Sequence, residues 1–220
     1  MKLYGSFGSP YVARVVLFAR LKGLDLVPES PPGGNIKSAE FLALNPIGKI
    51  PVLDIDGFGL PESEVICEYL DDAYPDHRVI PSLAIDAARA RLLARFYDLY
   101  IYPHVSSLYK QMNPATRDAA AVGAATDGLT NTFGYIEHYL SDGPFAVGGT
   151  ATSAECALLP GFTTLKQTVI PTFGLADPTV GNGKIARWWR ACGDHTICGP
   201  FMKEYAAAFA ELLKMFAARR

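Results

Sequence analysis

The sequence predicts an α+β molecule: a mixed β-sheet layered with helices, followed by an all-α domain. Three observations carry that expectation. Residues 2–74 run strand, helix, strand, and then strand, strand, helix, with one short helix between the two halves. The stretch Pro75–Ser82 is polar and contains two prolines, as a boundary between domains does. Beyond it the apolar residues recur at helical spacing.

Lys2–Phe7 alternates as a strand, and Tyr11–Lys22 is a helical run that stops at Gly23, a residue type suited to a left-handed cap. Leu24–Glu29 reads as a second strand, so the chain opens with a β-α-β unit. Pro31–Gly34 is loop. Ser38–Leu44 is a short helix that ends before Asn45-Pro46, because the residue before a proline is pushed out of helical angles. Ile50–Ile55 and Gly59-Leu60 form a hairpin, and Ser63–Tyr74 a helix. This order is the thioredoxin-like pattern, and it sets the domains at 1–75, a linker at 76–83, and a helical domain at 84–220. In the helical part, Ala84–Met112 carries Leu92, Phe96, Leu99 and Tyr100 at helical spacing and is expected to bend at Pro103. Asp118–Leu140 is a second long helix. Ser153–Gln167 is nearly all small and apolar, as a helix surrounded by others should be. Lys184–Cys192 and Phe201–Ala218 complete the set. The last places Tyr205, Phe209, Leu212, Leu213 and Phe216 on one face, with Arg219 and Arg220 at its negative end.

At 220 residues the chain can bury a sizeable core, and with half its residues apolar it is globular. A net charge of −2 gives no electrostatic reason to expect nucleic acid or an anionic membrane, so an anionic ligand must be held by local groups. The four cysteines, Cys67, Cys156, Cys192 and Cys198, form no C-x-x-C pair. Residues 1–20 lack the basic start and clean apolar run of a signal peptide, and Arg14 and Arg20 interrupt any membrane span. A cytoplasmic protein with reduced thiols is expected.

The segment Asn45–Ser63 carries the chemistry. Pro51 stands at a strand start, where a proline's missing N–H is tolerated. A turn at Asp56-Gly57 follows, and Glu62 and Ser63 then open a helix, gathering a carboxylate, a hydroxyl and free backbone N–H groups at its positive end. A strand start beside a helix N-terminus suits a small peptide that brings its own carboxylate.

That block resembles the glutathione-binding site of the glutathione transferase family. Upstream, Ser9-Pro10-Tyr11 looks like the opening of the first helix in serine-type members, especially the tau-like and bacterial ones. Downstream, Phe145–Gly149 with Thr152–Glu155 looks like the loop and capping box that open the buried helix of the family's second domain. The box usually carries Asp where Glu155 stands, and Glu performs the same reciprocal bonding. The three blocks fall in family order. The resemblance implies a homodimeric enzyme that directs the glutathione thiolate at a hydrophobic electrophile, with glutathione as co-substrate and no metal. It makes Ser9 the hydrogen-bond donor to the thiolate. Ile50 would pair with the cysteinyl backbone, and Pro51 would be cis. Ser63 would take the γ-glutamyl carboxylate, Glu62 the amino group, and Lys49 and Lys37 the glycyl carboxylate. Tyr11, Tyr109 and Phe209 are candidates for the electrophile pocket.

The magnitudes suit one hydroxyl. A free thiol with pKa about 8.5 is only slightly ionised at neutral pH, and bringing it to about 6.5–7 requires about 2–3 kcal/mol in favour of the anion. A hydrogen bond to a charged group supplies about 1.5–3 kcal/mol and a helix N-terminus about 0.3–1 more. Each residue also has a plainer reading: Ser9 as a helix cap, Pro51 as a strand edge, Glu62 as a partner of the helix dipole, Lys49 as a solvated charge, and Arg14 as half of a structural ion pair. Tyr4 and Ser6 are rival donors. Cysteine-type chemistry would require Cys at position 9. Cys192, His195 and Cys198 are too few for a structural metal site, which wants four ligands. Isomerisation, dehalogenation or ether cleavage would use the same thiolate, and a protein that binds glutathione or an apolar ligand without turnover is the non-enzymatic alternative.

Overall fold

The computed structural model describes residues 1–218, so the expectation for Arg219 and Arg220 lies outside the described residues. The chain divides into two compact units, one formed by Met1–Ile80 together with the segment from Lys203 onward, the other by Pro81–Met202. The division falls inside the expected linker. The tail grouping differs from the sequence reading, which assigns 84–220 to one helical domain.

The first unit is built on a four-stranded sheet in the order β2-β1-β3-β4. Strand β1 (Lys2–Tyr4) pairs in parallel with β2 (Pro28–Glu29) and antiparallel with β3 (Val52–Ile55), which pairs antiparallel with β4 (Phe58–Pro61). Side-chain alternation decides the register. Leu3 faces Leu53 and Tyr4 faces Val52 across the β1–β3 ladder, and all four are buried. Tyr4 and Val52 join Phe41 of helix α2 (Ala39–Leu44) in one core cluster, with Ile36, Leu44 and Ile50 packed against it. Helix α1 (Pro10–Leu21) packs against α3 (Ser63–Ala73).

Two strands are shorter than expected, for physical reasons. After Tyr4 the chain already turns toward α1, since the Ser9 N–H bonds the Ser6 carbonyl. Leu24 is still completing the α1 cap, its N–H bonded to the Ala19 carbonyl beyond Gly23 at φ 73°, so β2 begins only at Pro28. Helix α2 is capped as the sequence suggests, with the Ser38 hydroxyl accepting from the Phe41 N–H.

The second unit is helical. Helix α4 (Ala84–Phe96) runs into a π turn at Tyr97–Ile101 and then α5 (Tyr102–Tyr109). The expected bend at Pro103 is taken up by this turn, in which the Tyr102 N–H bonds the Tyr97 carbonyl five residues back. The buried face of the segment includes Leu93, Phe96, Tyr97 and Ile101; of the sequence-based stripe only Phe96 is buried, while Leu92, Leu99 and Tyr100 are exposed. Helix α6 (Ala119–Tyr139) is capped by the Asp118 carboxylate, which accepts from the Ala120 and Ala121 N–H groups.

Helix α7 (Ser153–Gln167) is buried from Ser153 to Leu165. Its capping box is formed as the sequence indicates: Glu155 accepts from the Thr152 N–H (2.7 Å) and hydroxyl (2.9 Å), and also from the Ala146 N–H (2.6 Å) and Trp188 Nε1 (2.9 Å). A fully buried carboxylate with four donors has its desolvation compensated. A short α8 (Val169–Phe173), unforeseen from sequence, precedes α9 (Lys184–Asp194) and α10 (Cys198–Ala217). His195 has a structural part, its Nδ1 accepting from the Ile197 and Cys198 N–H groups at the start of α10. In α10 Phe201, Tyr205 and Phe209 are buried, and Phe216, expected on the same face, is exposed. No helix among the described residues is long and apolar enough to cross a membrane.

Candidate functional site

Three chain ends converge in the first unit: the start of α1, the approach to β3, and the start of α3. Ser9 is the N-cap of α1, with extended angles (φ −75°, ψ 129°), and its carbonyl accepts from the Ala13 N–H. Its hydroxyl makes no cap hydrogen bond, and Pro10 fills the first helical position. The plain reading of Ser9 as a side-chain cap therefore does not describe it: the position is a cap, and the hydroxyl is left for another partner.

Ile50 stands next to the turn that leads into α1, as a β-carbon placed on Gly5 would lie 3.5 Å from Ile50 Cβ. The Ile50–Pro51 bond is cis, as expected from sequence. The β3 ladder begins one residue later, with Val52 opposite Tyr4, so Ile50 precedes the paired strand. Asn45, which the sequence reading left without a role, holds this approach. Its buried side chain donates to the Lys49 carbonyl (2.9 Å) and accepts from the Ile47 N–H (3.1 Å). Lys49 and Lys37 are both exposed, and Lys37 Nζ lies close over Gly48, 3.3 Å from where a β-carbon would stand. Two cations thus flank the same tight loop.

Glu62, the N-cap of α3, adopts φ 71° and ψ 110°, a conformation unusual for a residue with a β-carbon. Ser63 follows as the first helical residue and is buried. Arg14 of α1 donates to Glu64 in the first turn of α3 at 3.2 Å and ties the two helices together. Arg14 is buried with this pair, in keeping with its structural reading, and also lies 5.5 Å from the Tyr11 ring centroid.

Helix α10 also reaches this region of the first unit. Tyr205 donates to the Gly8 carbonyl at 3.5 Å, and a β-carbon on Gly8 would meet Leu212 at 3.0 Å and the Ala208 carbonyl at 3.3 Å. Glycine at position 8 permits that close approach, directly before Ser9. The only sequence signal for it is the glycine itself. Phe209 is buried and stacked on Tyr205. Tyr109 belongs to the second unit, where its hydroxyl shares a hydrogen bond with Thr168 and burial raises its pKa. The rival donor Tyr4 is buried against Phe41 and Val52, whereas Ser6 is exposed. No group of three metal-ligating side chains is found among the described residues.

Residues 3–78 match the family model described as the glutathione S-transferase N-terminal domain. Glutathione S-transferase 3 of Zea mays is 32% identical over 203 residues, covering 87% of this chain and 88% of the relative. Maleylacetoacetate isomerase of Rattus norvegicus is 32% identical over 165 residues, covering 72% and 74%. Among solved structures, a tau-class glutathione S-transferase from mango, Mangifera indica, superposes with a TM-score of 0.79 at 27% identity, covering 97% of each chain.

Proposed function

The chain belongs to the glutathione S-transferase family, and we propose on that premise that it binds glutathione in the first unit and directs its thiolate at a hydrophobic electrophile. The observation that carries this reading is the Ser9 hydroxyl, set at the start of α1 without a cap hydrogen bond. A donor there, helped by the positive end of the helix, favours the anion of a nearby thiol by the few kcal/mol that neutral pH requires. The thiol proton leaves to solvent. The thiolate then forms a sulfur–carbon bond as the electrophile's leaving group departs with its electron pair, or as an activated double bond takes up the electrons.

The remaining roles follow from the tripeptide's shape. Ile50, ahead of the β3 ladder, offers its backbone to the cysteinyl unit as a short added strand. Ser63 and the first N–H groups of α3 receive the γ-glutamyl carboxylate, and Glu62 its ammonium. Lys49 and Lys37 face the glycyl carboxylate. Tyr11, Tyr109 and Phe209 remain the candidates for contact with the electrophile. The chain is proposed to act as a homodimer, which sedimentation equilibrium tests directly, and to reside in the cytoplasm.

The central test is an arylation assay with a chloronitrobenzene on wild type and Ser9→Ala. A lost hydrogen bond to an anion corresponds to a fall in kcat of about 10- to 150-fold, with the Kd for glutathione changed by less than about threefold. Unchanged turnover would move the donor to Ser6 or Tyr4. Tight glutathione binding without turnover by wild type on any electrophile would favour the binding-protein reading. The similarity to the rat isomerase supports a second reaction of the same thiolate, addition to and release from a conjugated double bond. Assay of cis–trans isomerisation of a maleyl compound distinguishes it from arylation.

A further inference from the structure

Asparagine followed by glycine occurs once in the chain, at Asn182-Gly183, in the loop that enters α9. Both residues are exposed, and the Asn182 side-chain amide has no partner among the described residues. The Gly183 N–H is likewise unbonded among them, while its carbonyl accepts from the Arg187 N–H as the N-cap of α9. The three Asp-Gly pairs differ. The Gly57 N–H is bonded to Asp54 and the Gly143 N–H to Ser141, and Gly128 lies inside α6. Glycine at position 183 is imposed by Glu137 of α6. A β-carbon there would stand 2.8 Å from an oxygen of this carboxylate, which is pinned by accepting from the Lys184 and Ile185 N–H groups. The same missing side chain leaves the glycine nitrogen unhindered. Arg187 adds a charge. Its Nη1 donates to the Asn182 carbonyl at 2.6 Å, and its guanidinium has no carboxylate partner among the described residues. Arg190 donates beside it to the Gly181 carbonyl at 2.8 Å.

We propose that Asn182 is a self-modification site, converted through a cyclic imide to aspartate and isoaspartate, with Arg187 promoting the step. The Gly183 nitrogen loses its proton to water and bonds the side-chain carbonyl carbon of Asn182. The bond from that carbon to the side-chain nitrogen breaks, and ammonia leaves with a proton taken back from water. A water molecule then opens the imide at one of its two carbonyls. Opening at the side-chain carbonyl gives aspartate. Opening at the backbone carbonyl gives isoaspartate, in which the main chain runs through the former side chain. The charge on the deprotonated Gly183 nitrogen is shared with the Asn182 carbonyl oxygen, the atom that Arg187 holds. A cation fixed where charge develops lowers the barrier. The same contact polarises the backbone carbonyl of the imide, so isoaspartate is the favoured product. Either product adds a carboxylate beside Arg187 and Arg190 at the positive end of α9. Isoaspartate also lengthens the backbone by a methylene directly before the residues that Glu137 caps. The site lies wholly in the second unit and does not depend on the glutathione reading.

Peptide mapping by mass spectrometry tests this on the full chain incubated at neutral pH, with fragmentation that separates aspartate from isoaspartate. Wild type is expected to gain the mass of an amide-to-carboxylate exchange at Asn182 ahead of any other asparagine, with isoaspartate the larger share. Arg187→Gln is expected to slow the conversion about three- to tenfold in the folded protein, and Arg187→Lys to restore part of it. In urea, where the contact is lost, wild type and Arg187→Gln are expected to convert at the same rate. Arg187 is exposed, and circular dichroism verifies that its variants keep the fold. Absence of conversion at Asn182 in the folded chain overturns the site. Equal folded rates in wild type and Arg187→Gln overturn the part given to Arg187.

Discussion

Glu62 stands at φ 71° although nothing in its own chemistry favours that angle. Such a conformation costs a residue with a β-carbon about 1–3 kcal/mol, and it persists where the surroundings or a ligand require it. Glycine adopts it freely, at some cost in unfolded-state entropy. Glu62→Gly is therefore expected to raise stability by about 1 kcal/mol in urea unfolding while raising KM for glutathione about tenfold through loss of the carboxylate. A variant both less stable and unchanged in KM would remove Glu62 from the site. The neighbouring residues were readable from sequence because their signals are local. Proline at a strand start and a serine followed by proline each restrict the backbone within a residue or two. The angle of Glu62 was not readable, since glutamate has no preference for positive φ. Asn45 was quoted in the motif and still missed, because an asparagine that closes a loop through its side chain looks in sequence like any turn residue.

A buried clasp in the first unit joins the two helices that carry the proposed site. Lys22 at the end of α1 donates to Asp71 in α3 at 3.0 Å, both side chains fully buried, and also to the His77 carbonyl. Asp71 accepts from the Val79 N–H and pairs with Arg78 at 3.0 Å, so one carboxylate fixes the chain leaving α3. Removing one member leaves a buried charge uncompensated, whereas replacing the pair by apolar groups of similar volume is often tolerated. Asp71→Leu alone is expected to cost about 3–5 kcal/mol, and Lys22→Met with Asp71→Leu to recover most of it, as measured by the urea midpoint. Equal losses in the single and double variants would show that the clasp contributes nothing beyond packing. At this scale, helices with strong caps were read to within a residue or two, as for Ser153–Gln167. The β2 strand and the stripe beyond Phe96 were misjudged because each depends on a neighbouring element: the first on a helix cap that consumes Leu24, the second on a π turn that shifts Leu99 and Tyr100.

All four cysteines are free and buried. Burial pushes the Cys67 and Cys192 thiols up, and the Cys198 thiol up to about 12, with Glu155 adding to the effect for Cys192 and Cys198. A thiol reagent acts on the exposed thiolate, so a disulfide reagent at pH 8 is expected to modify none of them within minutes in the folded protein and four per chain in denaturant. Rapid modification of one thiol under native conditions would contradict their placement in the core. The two-unit organisation was legible from the polar stretch at 75–82, but the affiliation of the last helix was not, because contacts between residues some 200 positions apart leave no periodic trace in sequence. That affiliation has a consequence for biogenesis. The first unit, translated earliest, includes residues from Lys203 onward that the ribosome delivers only after the whole of the second. Until then Gly8 lacks the helix that covers it, so the nascent segment bearing Ser9 must wait, incomplete, while a later-made neighbour is free to fold first.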